Sequence, residues 1–549
     1  MSGSRGPQGG APPKIYLEID AAIRRDDIGT AIGLARQAMQ HGLRHPVLFN
    51  LRAYWHETEG RFAAACSDLE SALAMVPGDP RILNTLGRCR TAKGDFGKAV
   101  DALRAAIVAE PGFAEAHYNE GFACEQLGEL DLAWACYERA LQSAPNMIDA
   151  TARLASLASR RGDRAQARAL ADRVLAAEPR HTIAAFAHIV CDLAEGKFAQ
   201  AEQRARAVAQ DPAVIPQAHV NAVSFVADAL DGQGRYAEAF ASYAQANDGL
   251  RALFKNRFEG AGGLETGRAL ARRLAREFAA LPASSWQPQE PPPALPFGAA
   301  GAVFLMGFPR AGTTLLGQIL AAHSRIATIE EKPLLGEGLE AFIRKPGGLA
   351  QLAKLPRGEI ERHRRLFFEH ARNEGVALEG RVVVDQTPLN TLHLPLIAKL
   401  FPDARIVFAL RDPRDVVLSC YRRLFVVNAY VYEFLTLDGT ARFYDETMSL
   451  AQTFRSSLPP AVLDIRNEDL VADFEGQTRR LCDFLGLAYE DAMADFARGA
   501  KARRIATPSA MQVTKGLKSD SIGHWRNYET QMAPVLPVLA PWVERYGYE

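Results

Sequence analysis

A 34-residue period runs through the first half of the chain. Glycine recurs at 60, 94, 128, 162 and 196, and alanine follows each by five residues, at 65, 99, 133, 167 and 201. Proline keeps the same spacing at 77, 111, 145 and 179. The frame reaches back to Asp26 and Ala31 and, after a four-residue insertion, forward to Gly234 and Ala239. Three residue types on one period predict a helix–turn–helix array. Each glycine belongs in the turn between paired helices, where a residue without Cβ tolerates positive φ. Each alanine marks a close helix approach, and each proline ends the second helix of a unit. Units of this kind stack into a superhelix with a concave face.

The period and its small residues resemble the tetratricopeptide repeat over residues 15–250, about seven units. That resemblance implies either a groove for a peptide or protein partner or a scaffold and dimerisation surface for the neighbouring domain. Tyr118, Trp134 and Tyr137 are expected in the core rather than in a groove. At 549 residues the chain is too long for one core, so further domains are expected. Residues 1–14 are expected to form a flexible tail. Lys+Arg and Asp+Glu are equal at 64, so no global field draws the chain to nucleic acid or a membrane, and any anion site must be local. Seven scattered cysteines without a C-x-x-C pair read as buried thiols in a reducing compartment, not as a disulfide frame or zinc site. No export signal and no run of about 18 apolar residues is found, so no spanning helix is expected and cytoplasm is the default.

Residues 264–281 carry helical apolar spacing, and prolines at 282, 288, 291, 292, 293 and 296 predict an extended linker. Residues 251–300 are read as this connecting segment and 301–549 as a second domain. There, apolar runs at 302–306, 381–385, 405–410 and 461–466 alternate with helical stretches at 313–322, 391–400, 414–426 and 469–485. The pattern predicts an α/β domain with a mostly parallel sheet, its ligands at the carboxyl ends of the strands. The fold class is thus α + α/β: an all-α superhelix followed by a P-loop-like α/β domain.

"GFPRAGTT" at 307–314 follows the first of these strands. Gly307 and Gly312 are spaced as in G-x-x-x-x-G-K-[ST], but Thr313 stands where that loop has its lysine. Backbone amides of the loop and the dipole of the following helix favour an anion there. Arg310 can add a charge-assisted pair, and the Thr313 and Thr314 hydroxyls can donate. An ATP-using P-loop kinase is a minor alternative, with Asp385 as its candidate for Mg²⁺.

"GFPRAGTTLL" resembles the 5′-phosphosulfate loop of sulfotransferases, which use 3′-phosphoadenosine 5′-phosphosulfate (PAPS). The likeness is closest to the tyrosylprotein branch and to bacterial proteins joining tetratricopeptide repeats to a sulfotransferase domain. It implies that Arg310, Ala311, Gly312, Thr313 and Thr314 hold the phosphosulfate, and it implies no metal. In "RIVFALRDPRDVVLSCYRR", Arg411 and Ser419 match the arginine and serine that hold the 3′-phosphate. In "MQVTKGLKSDSIGHWRNYE", Gln512, Val513, Lys515, Gly523 and Trp525 match a closing segment, with Lys515 on phosphate. In the tyrosylprotein branch a glutamate follows the loop's arginine by 21 residues, and in "HSRIATIEE" the resemblance therefore implies Glu331, beside Glu330, as the general base. Two positions depart from the family pattern. Gln386 replaces a lysine that stabilises the bridging oxygen, and Asn467 replaces a tyrosine next to the cofactor. Either Arg310 or Lys332 compensates or catalysis is reduced. The resemblance thus implies transfer of a sulfuryl group to a hydroxyl, less readily an amine, with adenosine 3′,5′-bisphosphate as product. The alternative is a non-catalytic interaction protein that senses a nucleotide.

Overall fold

The structure is a computed structural model describing residues 14–260, 262–288, 290–292, 294–496 and 522–548. The chain divides into two compact units, Met1–Lys197 and Phe198–Glu549.

Among its described residues the first unit is helical throughout: α1 Lys14–Arg24, α2 Ile28–Gln40, α3 Pro46–Thr58, α4 Phe62–Met75, α5 Pro80–Lys93, α6 Phe96–Ala109, α7 Ala114–Gln126, α8 Leu130–Ser143, α9 Ile148–Arg161, α10 Arg164–Ala177 and α11 Thr182–Ala194. The periodic residues sit where the spacing requires. Gly60, Gly94, Gly128 and Gly162 adopt φ of 69°, 90°, 79° and 81° between paired helices. Ala31, Ala65, Ala99, Ala133 and Ala167 are fully buried. Each periodic proline falls two residues beyond α4, α6, α8 or α10. Tyr137 is buried in a cluster with Leu103 and Leu154, and Tyr118 and Trp134 pack against it. A second small-residue position accompanies the alanines: a Cβ on Gly121 would lie 2.7 Å from the Tyr137 ring, and one on Gly87 would lie 2.4 Å from Leu103. Glu120 stands one period from Leu86 and Leu154 and is equally buried; Arg104 meets its carboxylate at 2.8 Å.

The 34-residue frame continues in the second unit through α12 Phe198–Ala209, α13 Pro216–Gly232 and α14 Tyr236–Phe258. These three helices fold in one compact body with α15 Gly267–Ala279 and the α/β domain. The proline stretch after α15 is not simply extended. It contains 3-10 turns at Ala283–Trp286 and Pro296–Gly298, and Trp286 is buried, stacked on Phe278.

Among the described residues the sheet has five strands, all parallel: β1 Gly301–Gly307, β2 Ile326–Glu330, β3 Val382–Gln386, β4 Arg405–Leu410 and β5 Ala461–Arg466, in spatial order β2-β3-β1-β4-β5. The three inner strands read as continuous apolar runs because layers cover both faces. The edge strand β2 joins the four strands expected from sequence. The other differences are in the helices. The stretch expected at 414–426 is helical over Pro413–Arg422 and then irregular through 430. That at 391–400 begins as a 3-10 turn, Pro388–His393. That at 469–485 is two helices, Asn467–Ala472 and Phe474–Leu485, because Asp473 breaks off to cap the second by accepting from the Gly476 amide.

Candidate active site

Chain direction places five segments at one edge of the sheet. The loop 307–312 follows β1, Glu331 follows β2, Gln386 ends β3, Arg411 follows β4 and Asn467 follows β5. In a parallel sheet with neighbours on both sides of β1, this carboxyl edge is where a crevice opens.

The β1 loop turns into α16, Thr313–Leu320, whose N-terminus carries Gly312 at φ 104°. Two close approaches hold the loop. A Cβ on Gly307 would lie 2.5 Å from the Ala409 carbonyl oxygen on β4, and one on Gly312 would meet Asn467 Oδ1 at 3.0 Å. Thr391 Oγ1 donates to the Gly307 carbonyl at 2.8 Å. Inside this frame Arg310 is left-handed at φ 72°. Its Nε donates to Ser419 Oγ at 3.0 Å, and its carbonyl accepts from Arg411 Nη1 at 3.3 Å. The structure therefore brings together Arg310, Arg411 and Ser419, with Ser419 bonded to Arg310.

Sequence reasoning missed the charge that gathers there. Burial pushes the Arg310 guanidinium down to about 10, and the neighbouring charges of Arg423, Arg411 and Arg422 act in the same direction. Arg310 and Arg411 meet at the loop, helix α16 points its N-terminus at it, and both features favour an anion there, while Arg422 and Arg423 add their field from positions paired with Asp231 and Asp228. A pair of arginines in "CYRR" was the available signal, but its proximity to Arg310 depends on the packing of β1 beside β4.

Glu331 is the second non-glycine residue of this edge with positive φ, 50°. Its amide donates to the Gln386 carbonyl at 3.0 Å, continuing the β2–β3 pairing by one residue. The side chain is exposed, but surrounding protein pushes its carboxyl above the ordinary range, while the charge of Arg310 pulls it back. Glu331 and Arg310 therefore share an electrostatic environment. Left-handed residues of this kind cost of order 1–3 kcal/mol and cluster at functional sites. Lys332, the alternative cation, pairs with Glu374 at 3.1 Å.

Gln386 is fully buried. Its Nε2 lies 3.5 Å from Glu330 Oε1, and its Oε1 packs where a Cβ on Gly317 would stand, without a hydrogen-bond partner. Asp385, beside it, is 2% exposed and accepts from Thr387 Oγ1 at 2.7 Å and Asn390 Nδ2 at 3.1 Å. Burial raises its carboxyl to about 6 against those two bonds. The folded state thus binds a proton more tightly than the unfolded chain, whose Asp titrates near 3.8. This group's stabilising contribution is fully present below pH 3.8 and is lost as pH rises through 6. Asp385→Asn is expected to remove that slope, on the order of 1–3 kcal/mol between those pH values. Denaturant midpoints of both proteins across the window measure it; parallel curves count against the assignment.

On the β4 side, Asp415 receives the amides of Gly523 at 2.7 Å and Trp525 at 2.9 Å. Arg414, chelated by Asp412, lies 4.2 Å over the Trp525 ring. Gly523 and Trp525 of the third sequence motif are therefore held against the helix that carries Ser419. Gln512, Val513 and Lys515 lie outside the described residues.

Two observations show that these residues fit an anionic group. The loop is a tight backbone turn whose two glycines leave no room for a side chain, and Arg310 and Arg411 meet at it. Among the described residues no helix is long and apolar enough to cross a membrane.

Residues 302–491 match the family described as "Sulfotransferase family". Residues 56–112 and 84–148 match "Tetratricopeptide repeat". The chain is similar to an uncharacterized protein of Aquifex aeolicus, 27% identical over 247 residues, 43% of this chain and 32% of that one. It is similar to the nodulation protein NoeE of Sinorhizobium fredii, 36% identical over 126 residues, 21% of this chain and 30% of the other. A third relative, from Caenorhabditis briggsae, is named "Putative protein-tyrosine sulfotransferase"; it is 24% identical over 260 residues, 45% of this chain and 89% of that one. The chain spans about a third of the length of the first two.

Proposed function

Since this chain joins tetratricopeptide repeats to a domain of the sulfotransferase family, we propose that it transfers a sulfuryl group from PAPS to a hydroxyl of an acceptor. The observation that carries the reading is the β1 loop: a glycine-built turn at a helix N-terminus where Arg310, Arg411 and Ser419 come together. When bound, the donor supplies a sulfuryl group already activated by its link to phosphate.

The protein's part is binding, charge neutralisation and one proton transfer. The amides of 310–314, the Thr313 and Thr314 hydroxyls and the Arg310 guanidinium hold the phosphosulfate. Arg411 and Ser419 hold the 3′-phosphate, with Arg423 adding charge from the end of the same segment. Lys515 is assigned to phosphate on the family resemblance alone. Glu331 takes the acceptor's proton, a role that suits a carboxyl raised above the usual range. The repeats bind a protein or peptide, and the relative named for protein-tyrosine sulfation favours a protein hydroxyl as acceptor.

One feature favours a second reading, in which the nucleotide is bound but turnover is slow. Gln386 is uncharged, buried and directed at Glu330 and Gly317, so it adds no positive charge to the leaving group. Radiolabelled sulfate transfer from PAPS to a mixed protein and small-molecule acceptor pool separates the two. Label incorporated into an acceptor supports transfer. Binding of adenosine 3′,5′-bisphosphate without incorporation supports the second reading, and metal-dependent ATP consumption without either sinks both.

A further inference from the structure

We propose that Asp231, in the last helical hairpin of the repeat frame, is a positioning residue of the donor site that holds together the two segments flanking it. The inference rests on the donor-site reading above.

Asp231 lies near the end of α13, with only 16% of its side chain exposed. It accepts from Arg422 Nη2 at 2.5 Å, from His524 Nε2 at 3.1 Å and from the Tyr528 hydroxyl. Burial alone would raise its carboxyl. The His524 bond, the Arg422 charge and the Tyr528 hydroxyl outweigh this and hold it at about 2, so the anion persists at any working pH.

Its partners are the two segments that matter. Arg422 is the last residue of helix Pro413–Arg422, one turn after Ser419. His524 and Tyr528 bound the 3-10 turn that follows Gly523. That turn is pinned to the same helix at its start, where Asp415 accepts the Gly523 and Trp525 amides. Asp415 and Asp231 therefore fasten helix and turn at both ends. The hairpin adds two more restraints. Asn247 on α14 donates to the Tyr421 carbonyl at 2.9 Å, capping the helix end, and Asp228 on α13 accepts from Arg423 at 3.4 Å and from the Tyr243 hydroxyl at 2.7 Å.

The electrostatic logic is specific to this place. Arg422 and Arg423 both press their charge on Arg310. Asp231 and Asp228 offset the two outer arginines from behind. Without Asp231, Arg422 is a nearly buried cation facing three others, and it gains by swinging outward. Ser419, one turn away, moves with the helix end, and the turn carrying Trp525 loses its second anchor. The expected result is a weaker donor site in a chain that is still folded.

The test uses the full chain with adenosine 3′,5′-bisphosphate as probe, titrated calorimetrically against wild type, Asp231→Asn and His524→Gln. Asp231→Asn is expected to raise Kd at least about tenfold, as for loss of a hydrogen bond to a charged group, while cooperative melting persists. His524→Gln, which removes one partner of three, is expected to weaken binding less. An Asp231→Asn protein that melts lower but binds with wild-type Kd overturns the proposal. If Asp231→Asn does not fold, unchanged affinity in His524→Gln overturns it instead. If wild type itself does not bind the nucleotide, the donor-site reading has failed. Hydrogen exchange then decides separately: faster exchange confined to 411–423 and 522–528 in the variant retains Asp231 as the tie between them, and unaltered protection sinks it.

Discussion

Arg310→Ala is expected to remove much of the thermal stabilisation that adenosine 3′,5′-bisphosphate confers on the protein. A nucleotide at a hundred times its Kd stabilises the native state by about 2.7 kcal/mol. Losing a bond to a charged group costs about 1.5–3 kcal/mol, or roughly ten- to a hundredfold in Kd. At the upper end, the same nucleotide concentration then gives only about 0.4 kcal/mol. Arg310 also donates to Ser419, so its removal takes a partner from the 3′-phosphate side as well. Turnover should fall further, by about 10²–10³, if the guanidinium meets charge that develops during transfer. The melting temperature without ligand makes a useful contrast. Arg310 sits at φ 72° among three other arginines. Alanine tolerates that backbone no better, but deleting one of four crowded positive charges relieves repulsion. Little loss of intrinsic stability is therefore expected alongside a large loss of response. A variant that keeps the wild-type shift would remove the anion site from this loop.

The repeat half was legible because its constraint is local and recurs. A glycine in a left-handed turn and an alanine between touching helices impose the same demand every 34 residues, and Gly87 and Gly121, one period apart, obey it too. The loop at 307–314 was legible for a related reason: strand, turn and helix are contiguous. What escaped was whatever depends on pairs remote in sequence. Asp231 meets Arg422, His524 and Tyr528 across roughly 190–300 positions, and nothing near Asp231 in the chain hints at a cluster of arginines. The strand β2 was missed because "IATIE" is short and lies at the sheet edge, where pairing with β3 rather than its own composition decides its conformation. Expected helices overran wherever a capping side chain intervened, as at Asp473, or where the chain leaves the helix after Arg422.

Glu331→Gln should separate chemistry from binding. Glutamine keeps the size and hydrogen-bonding reach of the side chain but cannot take a proton. If Glu331 is the general base, turnover falls by about 10²–10⁴, while the affinity for adenosine 3′,5′-bisphosphate stays within about twofold of wild type. The pH profile carries the sign. The carboxylate is the working form, so turnover is lost as pH falls through its pKa. Crowding by protein raises that pKa above the ordinary 4.5, and the charge of Arg310 lowers it. The acid limb of wild type is therefore expected above the position of a free glutamate and should vanish in Glu331→Gln. The same electrostatic link makes a sharper demand. In Arg310→Ala, where residual turnover can be followed, the countervailing positive charge is gone, and the acid limb must move to higher pH. A limb that stays put would mean that Glu331 and Arg310 do not face a common reaction space, and an unchanged kcat in Glu331→Gln would pass the proton to some other group of the cleft.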